Sequence, residues 1–282
     1  MNLYFVKTFL EVVAAGNLVQ AADRLNVTQS TVTTRINSLE ELLGQKLLIR
    51  SRSGVELTSA GFKFQRYAEL LIQTWKQANY ELSLPSGYDN ICNLGCHMDL
   101  WNEVGDYFLE FMRNENPNVA ISIWSGSEKE ITHWLDTGLV DLAFSFEDTL
   151  TSTSVATPLF ADELILISTN ADQIGINEDD YVYVDMGPEI RRQHAEVFSE
   201  EMNSGSLIST PGWALDYILK FGGSAYLPRR LASKHLQAEL IYEVGNCPSF
   251  YRQSFVINNL HAKDNWPWLE NAIHKMQLHL KQ

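Results

Sequence analysis

The stretch Ala22–Gly44, ADRLNVTQSTVTTRINSLEELLG, decides the fold of the first part of this chain. Its end has the leucine spacing of a helix, but its centre is rich in hydroxyl and amide side chains, which weaken helices by competing for backbone hydrogen bonds. On a helical wheel one apolar face is formed by Val32, Ile36, Leu39 and Leu43. The opposite face consists of the short polar residues Ser30, Thr33, Thr34 and Asn37.

A shorter helical pattern, NLVQAADRL, precedes this segment, and the turn NVT joins the two with Thr28 in position to cap the second helix. Two helices joined by such a short turn predict a helix-turn-helix. Short polar side chains let a helix enter the major groove and still reach base edges, whereas an ordinary solvated helix usually carries Glu and Lys there. The predicted base-reading residues are Gln29, Ser30, Thr33, Thr34 and Asn37.

Basic and hydroxyl residues surround this helix. The segment LLIRSRSGVELT has two short apolar runs that flank RSRSG, which predicts a small hairpin of the kind that forms a wing. Taken singly, each basic residue is equally consistent with a solvated surface charge, but as a group they favour phosphate contacts. The predicted phosphate contacts are Thr28, Thr31, Arg35, Lys46, Arg50, Arg52 and Ser53.

A long helix is predicted in SAGFKFQRYAELLIQTWKQANYELSL, with Thr58 in position to cap it. Apolar residues recur in it at the alternating four- and three-residue spacing of a coiled coil, which predicts a dimer with two recognition helices. The alternative is that the stripe packs on its own domain. The residues of this predicted dimerisation seam are Phe64, Ala68, Leu71, Trp75, Ala78 and Leu82.

Charge is distributed unevenly along the 282 residues, whose net charge is −14. Residues 1–85 hold 9 basic and 7 acidic residues, and the remainder holds 12 and 28, so the first part can approach phosphate. No apolar run reaches the length of about 18 residues that suggests a membrane span. Lys7 and Glu11 interrupt the apolar start, and three cysteines fit a reducing compartment. We therefore expect a cytoplasmic protein without a membrane partner.

The segment LSLPSGYDN, at residues 82–90, predicts a domain boundary because it combines Pro, Gly and Ser. Beyond it, the short strand patterns NICNLG, VAISIW, VDLAFSF and DELILIST alternate with helical patterns. That alternation predicts an α/β domain with a largely parallel sheet.

The first 61 residues resemble the N-terminal domain of LysR-type transcriptional regulators. The resemblance lies in the order F…A…N…AA..L..TQS.V...I..LE..LG..L..R......LT.AG and runs without a gap over residues 3–61. It implies an α+β multidomain protein with a winged helix-turn-helix, a long linker helix that dimerises, and a C-terminal α/β effector domain like a periplasmic binding protein, with two subdomains. Family base contacts fall on Gln29, Ser30 and Thr34, where many members have Arg or Lys at the last position.

The resemblance also implies an organisation and partners. We expect the DNA-binding domain at 1–58, the linker helix at 59–85 and the effector domain at 86–282. Its subdomains would be about 90–161 with 258–282, and about 162–257, joined by two crossovers around a ligand cleft. The expected partners are double-stranded DNA, a small-molecule effector for which a carboxylate is one candidate, and a second copy in a homodimer, with tetramers also known in the family. No cofactor or metal is expected.

Helix N-termini predict where an effector binds, because their free N–H groups favour anions. Three turns qualify: GCHMD, SGSE and STPGW. The alternative is that the histidine is a satisfied loop residue and the tryptophans belong to the core. The predicted effector-binding residues are Cys96, His97, Met98, Asp99, Ser125, Gly126, Ser127, Thr210 and Trp213.

Three other functions compete with a ligand-responsive regulator. A redox regulator would use Cys92 and Cys96, but Cys92 lies on an apolar strand where a core role is the simpler interpretation. An enzyme is disfavoured because the common hydrolase, metalloprotease and nucleotide-binding motifs are missing. A transport solute-binding protein would need a signal peptide and no DNA-reading module.

Overall fold

The structure, a computed structural model, describes residues 2–51, 54–148, 154–198, 205–260 and 266–280, the side chains of Arg50 and Ser51 excepted. The chain divides into two compact units, an N-terminal unit Met1–Gly87 and a C-terminal unit Tyr88–Gln282. In the described ranges, every helix is too short or too polar to cross a membrane.

The described residues of the N-terminal unit form four helices and a hairpin, which include the predicted helix-turn-helix, wing hairpin and long helix. The elements are α1 (Leu3–Ala15), α2 (Leu18–Arg24), α3 (Gln29–Leu43), β1 (Leu48–Ser51), β2 (Gly54–Leu57) and α4 (Ser59–Leu82). Strands β1 and β2 pair antiparallel. Thr28 caps α3 by accepting a hydrogen bond from the backbone N–H of Thr31, and Thr58 caps α4 by accepting one from Gly61. Both predicted caps are confirmed.

Helix α3 packs through the apolar face that its spacing predicts, with one exception. Val32, Ile36 and Leu39 are fully buried, but Leu43 is 38% exposed, so its predicted burial is wrong. The helix ends directly after Leu43 at Gly44, whose left-handed backbone conformation turns the chain away before that last turn meets another helix.

Glu40 is buried in the place where the wheel predicts only apolar residues. Its carboxylate accepts hydrogen bonds from the backbone N–H groups of Leu47 and Leu48 at 2.9 and 3.2 Å, and pairs with the ammonium of Lys46 at 2.6 Å. Burial alone would raise the pKa of Glu40, but these donors outweigh burial and hold it below its usual value. This carboxylate therefore fixes the chain that leads from α3 into the hairpin.

Helix α4 begins against the hairpin, and Gly61 is what permits the approach. A Cβ atom at Gly61 would lie 2.1 Å from the carbonyl oxygen of Leu47, a distance that no side chain tolerates. The first turns of α4 then pack on α1, where the rings of Phe64 and Phe9 meet edge-on at 5.3 Å.

The C-terminal unit alternates strands and helices as the sequence predicts. A short 3-10 turn (Met98–Leu100) and a π-helical turn (Trp101–Gly105) lead from β3 into α5. The elements are β3 (Asn90–His97), α5 (Asp106–Glu115), β4 (Val119–Gly126), α6 (Glu128–Asp136), β5 (Leu142–Ser145), β6 (Ser154–Ser168), β7 (Val182–Val184), α7 (Pro188–Val197), β8 (Ser206–Ile208), α8 (Pro211–Phe221), β9 (Ser224–Pro228), α9 (Arg229–Gln237), β10 (Tyr242–Glu243), β11 (Phe250–Asn259) and α10 (Leu269–His279).

The main sheet is mixed, so the predicted largely parallel sheet is wrong. Its strand order is β10-β6-β11-β5-β3-β4, with β9 also paired to β6. Strand β3 pairs parallel with β4 and β5, whereas the other pairings among the described strands of this sheet are antiparallel. The reason is that β6 and β11 are long and pair with each other antiparallel over most of their length. The sequence pattern marks only the second half of β6.

Two hydrophobic cores lie along these two long strands. Strand β6 gives Leu159 to one core and Leu164 to the other, and β11 gives Val256 to the first and Phe250 to the second. Each strand therefore passes from one core to the other, which brings the middle of both strands to the boundary between the cores. The predicted domain and subdomain bounds stay a prediction.

Candidate DNA-binding surface and ligand cavity

The polar face of α3 is open to solvent. Gln29, Ser30, Thr34 and Asn37 are exposed, and Thr33 is half-buried. Within the described chain, the side-chain amides of Gln29 and Asn37 make no hydrogen bond to protein, so both are free to donate and accept. The hydroxyl of Thr34 donates to the carbonyl oxygen of Ser30 at 2.9 Å and keeps its oxygen available as an acceptor. The exposed face therefore offers donors and acceptors of short reach.

Several residues predicted to contact phosphate form contacts within the N-terminal unit. The hydroxyl oxygen of Thr28 lies 2.8 Å from those of Ser30 and Thr31, which forms a hydroxyl cluster at the start of α3. Arg35 lies against α1, where it donates to the Thr8 hydroxyl at 3.3 Å and covers the Tyr4 ring at 5.6 Å.

The remaining predicted phosphate contacts lie beside or within the hairpin. Lys46 is 75% exposed and shares its charge with Glu40. The backbone of Arg50 pairs with Val55 in the hairpin. The Arg50 side chain and the residues Arg52 and Ser53 lie outside the described part of the chain. Lys46 is thus a predicted contact whose ammonium the structure leaves near the surface.

The predicted dimerisation seam divides into two parts. Phe64 and Ala68 pack in the core of their own unit, which is the alternative interpretation of the stripe, and Ala78 is half-buried. Leu71, Trp75 and Leu82 are 36, 48 and 89% exposed. Only the later part of the seam leaves large apolar side chains uncovered, and its role in dimerisation stays a prediction.

In the C-terminal unit, a cavity of about 550 Å³ opens where β3, α6, α7 and β11 approach one another. His97 and Asp99 line it, together with Glu128, Phe146 and Arg252. A second cavity of about 440 Å³ is lined by Met98, Asp99, Thr210 and Trp213. Five of the predicted effector-binding residues therefore line a cavity, but they divide between two cavities that share Asp99.

The other predicted effector-binding residues line neither cavity. Cys96 is 2% exposed and packs in a core, because both faces of β3 are covered. Ser127 caps α6 in a reciprocal pair with Glu130, and Gly126 lies against the Trp134 ring. Ser125 is exposed outside the cavities. The predicted anion site at the start of α6 is thus occupied by the Ser127 hydroxyl and the Glu130 carboxylate of the chain itself.

His97 and Glu128 face each other in the larger cavity. The imidazole Nδ1 accepts a hydrogen bond from the backbone N–H of Asp99 at 3.3 Å, and Nε2 lies 4.0 Å from a Glu128 oxygen. Burial, assisted by the positive charge of Arg252, lowers the pKa of His97 to about 4, so His97 is neutral near pH 7. Burial raises the pKa of Glu128, although its hydrogen bonds from Ser145 and the Phe146 N–H oppose that shift.

Beside the cavity, two arginines share a buried aspartate in the middle of β6. The guanidinium of Arg230 donates to both oxygens of Asp162 at 3.0 and 3.1 Å, to the Asp99 carbonyl at 2.7 Å, and to Glu103. Arg252 lies 3.6 Å from Asp162 and 3.8 Å from Asp99. Because these residues come from β6, α9, β11 and the turn after β3, the cluster joins the elements of both cores.

Sequence reasoning missed Arg252 and Phe146, and it included Glu128 only as the last residue of the candidate turn SGSE. A signal was present for Arg252: it occupies the same strand face as Phe250, which is buried. A charged residue in an inward position of an apolar strand suggests a functional or paired site.

The low pKa of His97 gives a testable pH dependence. The unfolded histidine binds a proton near pH 6.5, whereas the folded one does so only near pH 4, so stability is fully present above pH 6.5 and is lost as the pH falls toward 4. At pH 5 the loss is about 2 kcal/mol. Urea unfolding of the parent and of His97→Asn at pH 7.5 and pH 5 measures it. Equal pH dependence in both proteins would contradict the assignment.

Proteins similar to this chain have a helix-turn-helix and act as transcriptional regulators. The sequence profile described as "Bacterial regulatory helix-turn-helix protein, lysR family" matches residues 3–62. The HTH-type transcriptional regulator HdfR of Shigella boydii is 26% identical over 237 residues, which cover 83% of this chain and 84% of HdfR. HdfR of Escherichia coli matches with the same identity and coverage.

Residues 3–62 are thus a LysR-family helix-turn-helix domain, and the chain as a whole is similar to LysR-type transcriptional regulators.

Solved structures of LysR-family regulators share the fold. CbnR matches with a TM-score of 0.73 at 17% identity, covering 98% of this chain and 99% of CbnR. DarR of Vibrio fischeri, in complex with DNA, matches with a TM-score of 0.57 at 20% identity, covering 95 and 98%. LysG of Corynebacterium glutamicum with bound effector Arg has a TM-score of 0.54 at 16% identity, covering 98% of each chain. The predicted α+β architecture, with its periplasmic-binding-protein-like effector domain, is confirmed.

Thiol sensing is not favoured for this chain. Cys92 and Cys96 are buried, and burial raises the pKa of both thiols, that of Cys96 to about 12. A reactive cysteine needs an accessible thiolate, which neither provides. In the described part of the chain, no group of three His, Cys, Asp or Glu residues is arranged to hold a metal ion.

Proposed function

We propose that this LysR-family regulator reads DNA through the exposed face of α3, and that a small molecule in the larger cavity of the C-terminal unit sets its activity. The single observation that carries the DNA-reading assignment is the open face formed by Gln29, Ser30, Thr34 and Asn37. These side chains are short enough for the helix backbone to approach a groove closely. Lys46 and the hydroxyls of Thr28 and Thr31 would contact phosphates on either side.

Two relatives of similar fold support the division of labour. DarR was solved with DNA and LysG with its effector Arg, and we assign the corresponding roles to the two units of this chain. The effector would act by shifting a conformational equilibrium, because it can only favour the state to which it binds more tightly. The long strands β6 and β11 pass between both cores and are the elements across which such a change would occur.

Assembly and location complete the proposal. The exposed Leu71, Trp75 and Leu82 of α4 would be covered by a second copy, which gives a homodimer with two recognition helices. Family precedent extends this to tetramers. A protein that regulates genes acts where the chromosome is, so we place it in the cytoplasm. The related proteins are regulators, and the proposal assigns this chain no reaction.

Binding to the duplex upstream of the chain's own gene tests the DNA-reading assignment. Fluorescence anisotropy at rising salt should show a steep loss of affinity, because phosphate contacts release counterions. Thr34→Ala should weaken binding to this duplex by about 5-fold or more, the effect of one lost base contact.

Thr74→Ala is the matched control, because Thr74 is also exposed and its hydroxyl also donates to the carbonyl four residues earlier, at 2.9 Å. The two substitutions change helix stability alike and differ only in their place on the surface. Equal affinity of the two variants, or binding that salt does not affect, would overturn the assignment.

A further inference from the structure

The larger cavity is strongly acidic. His97 is neutral near pH 7, so Arg252 is the only cation among the described residues that line it. Two of the acidic residues in the lining form ion pairs with arginines that do not line the cavity: Asp185 with Arg191, and Glu189 with Arg192. The carboxylates in the lining are Asp99, Glu128, Glu147, Asp148, Asp185 and Glu189.

Three of these carboxylates form no ion pair with a lysine or arginine among the described residues, although the positive charge of Arg252 acts on Glu128 from a distance. They are Glu128, within the cavity, and Glu147 and Asp148, which are exposed at its mouth. Glu128 is held in place by the backbone N–H of Phe146 at 3.0 Å and by the Ser145 hydroxyl. An anionic ligand would meet this negative field, whereas an ammonium group would be stabilised by it.

Arg252 supplies a second, independent observation. It is 5% exposed, and its Nε and Nη2 groups are buried without a hydrogen-bond partner among the described residues. Its guanidinium carbon lies 3.3 Å from the centre of the Phe146 ring, and within the same residues its Nη1 donates only to the Met186 carbonyl oxygen, at 3.4 Å. Because buried donors are costly when unpaired, this side chain needs an acceptor that the described part of the chain does not provide.

The missing partner of Arg252 is an oxygen acceptor. Asp162 and Asp99 lie 3.6 and 3.8 Å from the guanidinium, near enough to attract its charge but too far for good hydrogen bonds. Burial, together with the charge of Arg230, still lowers the pKa of Arg252 despite these two carboxylates. A carbonyl, hydroxyl or carboxylate oxygen of a ligand would satisfy its unpaired N–H groups. The cavity thus presents one site for an oxygen and a separate site for a cation.

We infer that the effector of this regulator is an amine that also carries an oxygen acceptor, with amino acids as the simplest class. Its ammonium group binds Glu128 with Glu147 and Asp148 nearby, and its oxygen accepts from Arg252. This inference rests on the proposed function and replaces the expected simple carboxylate by a ligand whose net charge is zero or positive. Dicarboxylates are excluded, because their second negative charge would lie among the unpaired acids.

Isothermal titration calorimetry on the full-length, dialysed protein tests the ligand class. The titrants are the standard amino acids one at a time, with succinate and glutarate as dicarboxylates. At least one amino acid should bind with a millimolar or lower Kd, and neither dicarboxylate should bind. For the amino acid that binds, Glu128→Gln should weaken binding at least 10-fold.

Glu130→Gln is the matched control, since Glu130 lies on the same first turn of α6 but outside the cavity. The affinity of this variant for the amino acid should equal that of the parent protein. Binding of a dicarboxylate, binding of no amino acid, or equal affinity in both variants would overturn the inference. DNA binding measured on the same preparation without ligand separates the two proposals. If DNA binds and no amine does, the ligand class alone is wrong, whereas loss of DNA binding contradicts the proposed function itself.

Discussion

Asp162→Asn is expected to lower the free energy of unfolding of the C-terminal unit by about 3–5 kcal/mol, the usual effect of removing one partner from a buried ion pair. Asp162 is 2% exposed and accepts two hydrogen bonds from Arg230. The change keeps the shape of the side chain but leaves Arg230 and Arg252 with less compensating charge. Desolvated cations without partners are among the most costly defects in a protein interior.

Urea unfolding followed by tryptophan fluorescence measures this effect, because all tryptophans except Trp75 belong to the C-terminal unit. Glu115→Gln provides the control. It breaks an ion pair with Lys275 of 3.1 Å whose side chains are 49 and 39% exposed, and such exposed pairs contribute about 1 kcal/mol or less. A loss for Asp162→Asn no larger than that of the control would mean that the buried cluster does not hold the two cores together.

The triple variant Gln29→Ala, Thr33→Ala, Thr34→Ala is expected to lose at least 100-fold in affinity for its specific duplex. Each lost base contact costs about 1–3 kcal/mol, and at least two of the three side chains are free to make one. Binding to unrelated DNA should change little, because phosphate contacts carry that affinity. Alanine favours helix more than the residues that it replaces, so α3 should remain folded.

Competition titrations with specific and unrelated duplexes measure both affinities, and circular dichroism checks the fold. Dimer formation, measured by sedimentation, should equal that of the parent, since none of the three positions lies on α4. If the variant kept its preference for the specific duplex, the base-reading face would lie elsewhere in the chain.

Sequence reasoning predicted the N-terminal unit well because its helices and caps depend on residues that are close together in the sequence. Periodicity fixes which face of α3 is apolar, and Thr28 and Thr58 are caps that need only the next three residues. It was wrong about Leu43 because burial at a helix end depends on where the chain turns next. It missed the role of Glu40 for the same reason, since its partners Leu47 and Leu48 belong to the following strand.

The C-terminal unit was predicted less completely because its cavity depends on long-range pairing. Asp162 and Arg252 are direct neighbours across β6 and β11 but are 90 positions apart in the chain. The turn GCHMD indicates the end of a strand, and two of its residues, His97 and Asp99, line the cavity as predicted. Cys96 is instead buried, because no local sequence pattern shows which side of β3 its side chain faces. The mixed sheet was missed because a strand's length and direction are set by its partners.

Selection of bound sequences from a pool of random duplexes, with the parent and with Gln29→Ala, measures whether the exposed face of α3 reads the bases. We expect the parent to enrich a two-fold symmetric sequence, because two copies would present this face to successive major grooves. Gln29→Ala should relax the preference at one base pair in each half-site and leave the other positions unchanged. Enrichment of no sequence by the parent, or of an identical sequence by both proteins, would contradict this role of α3.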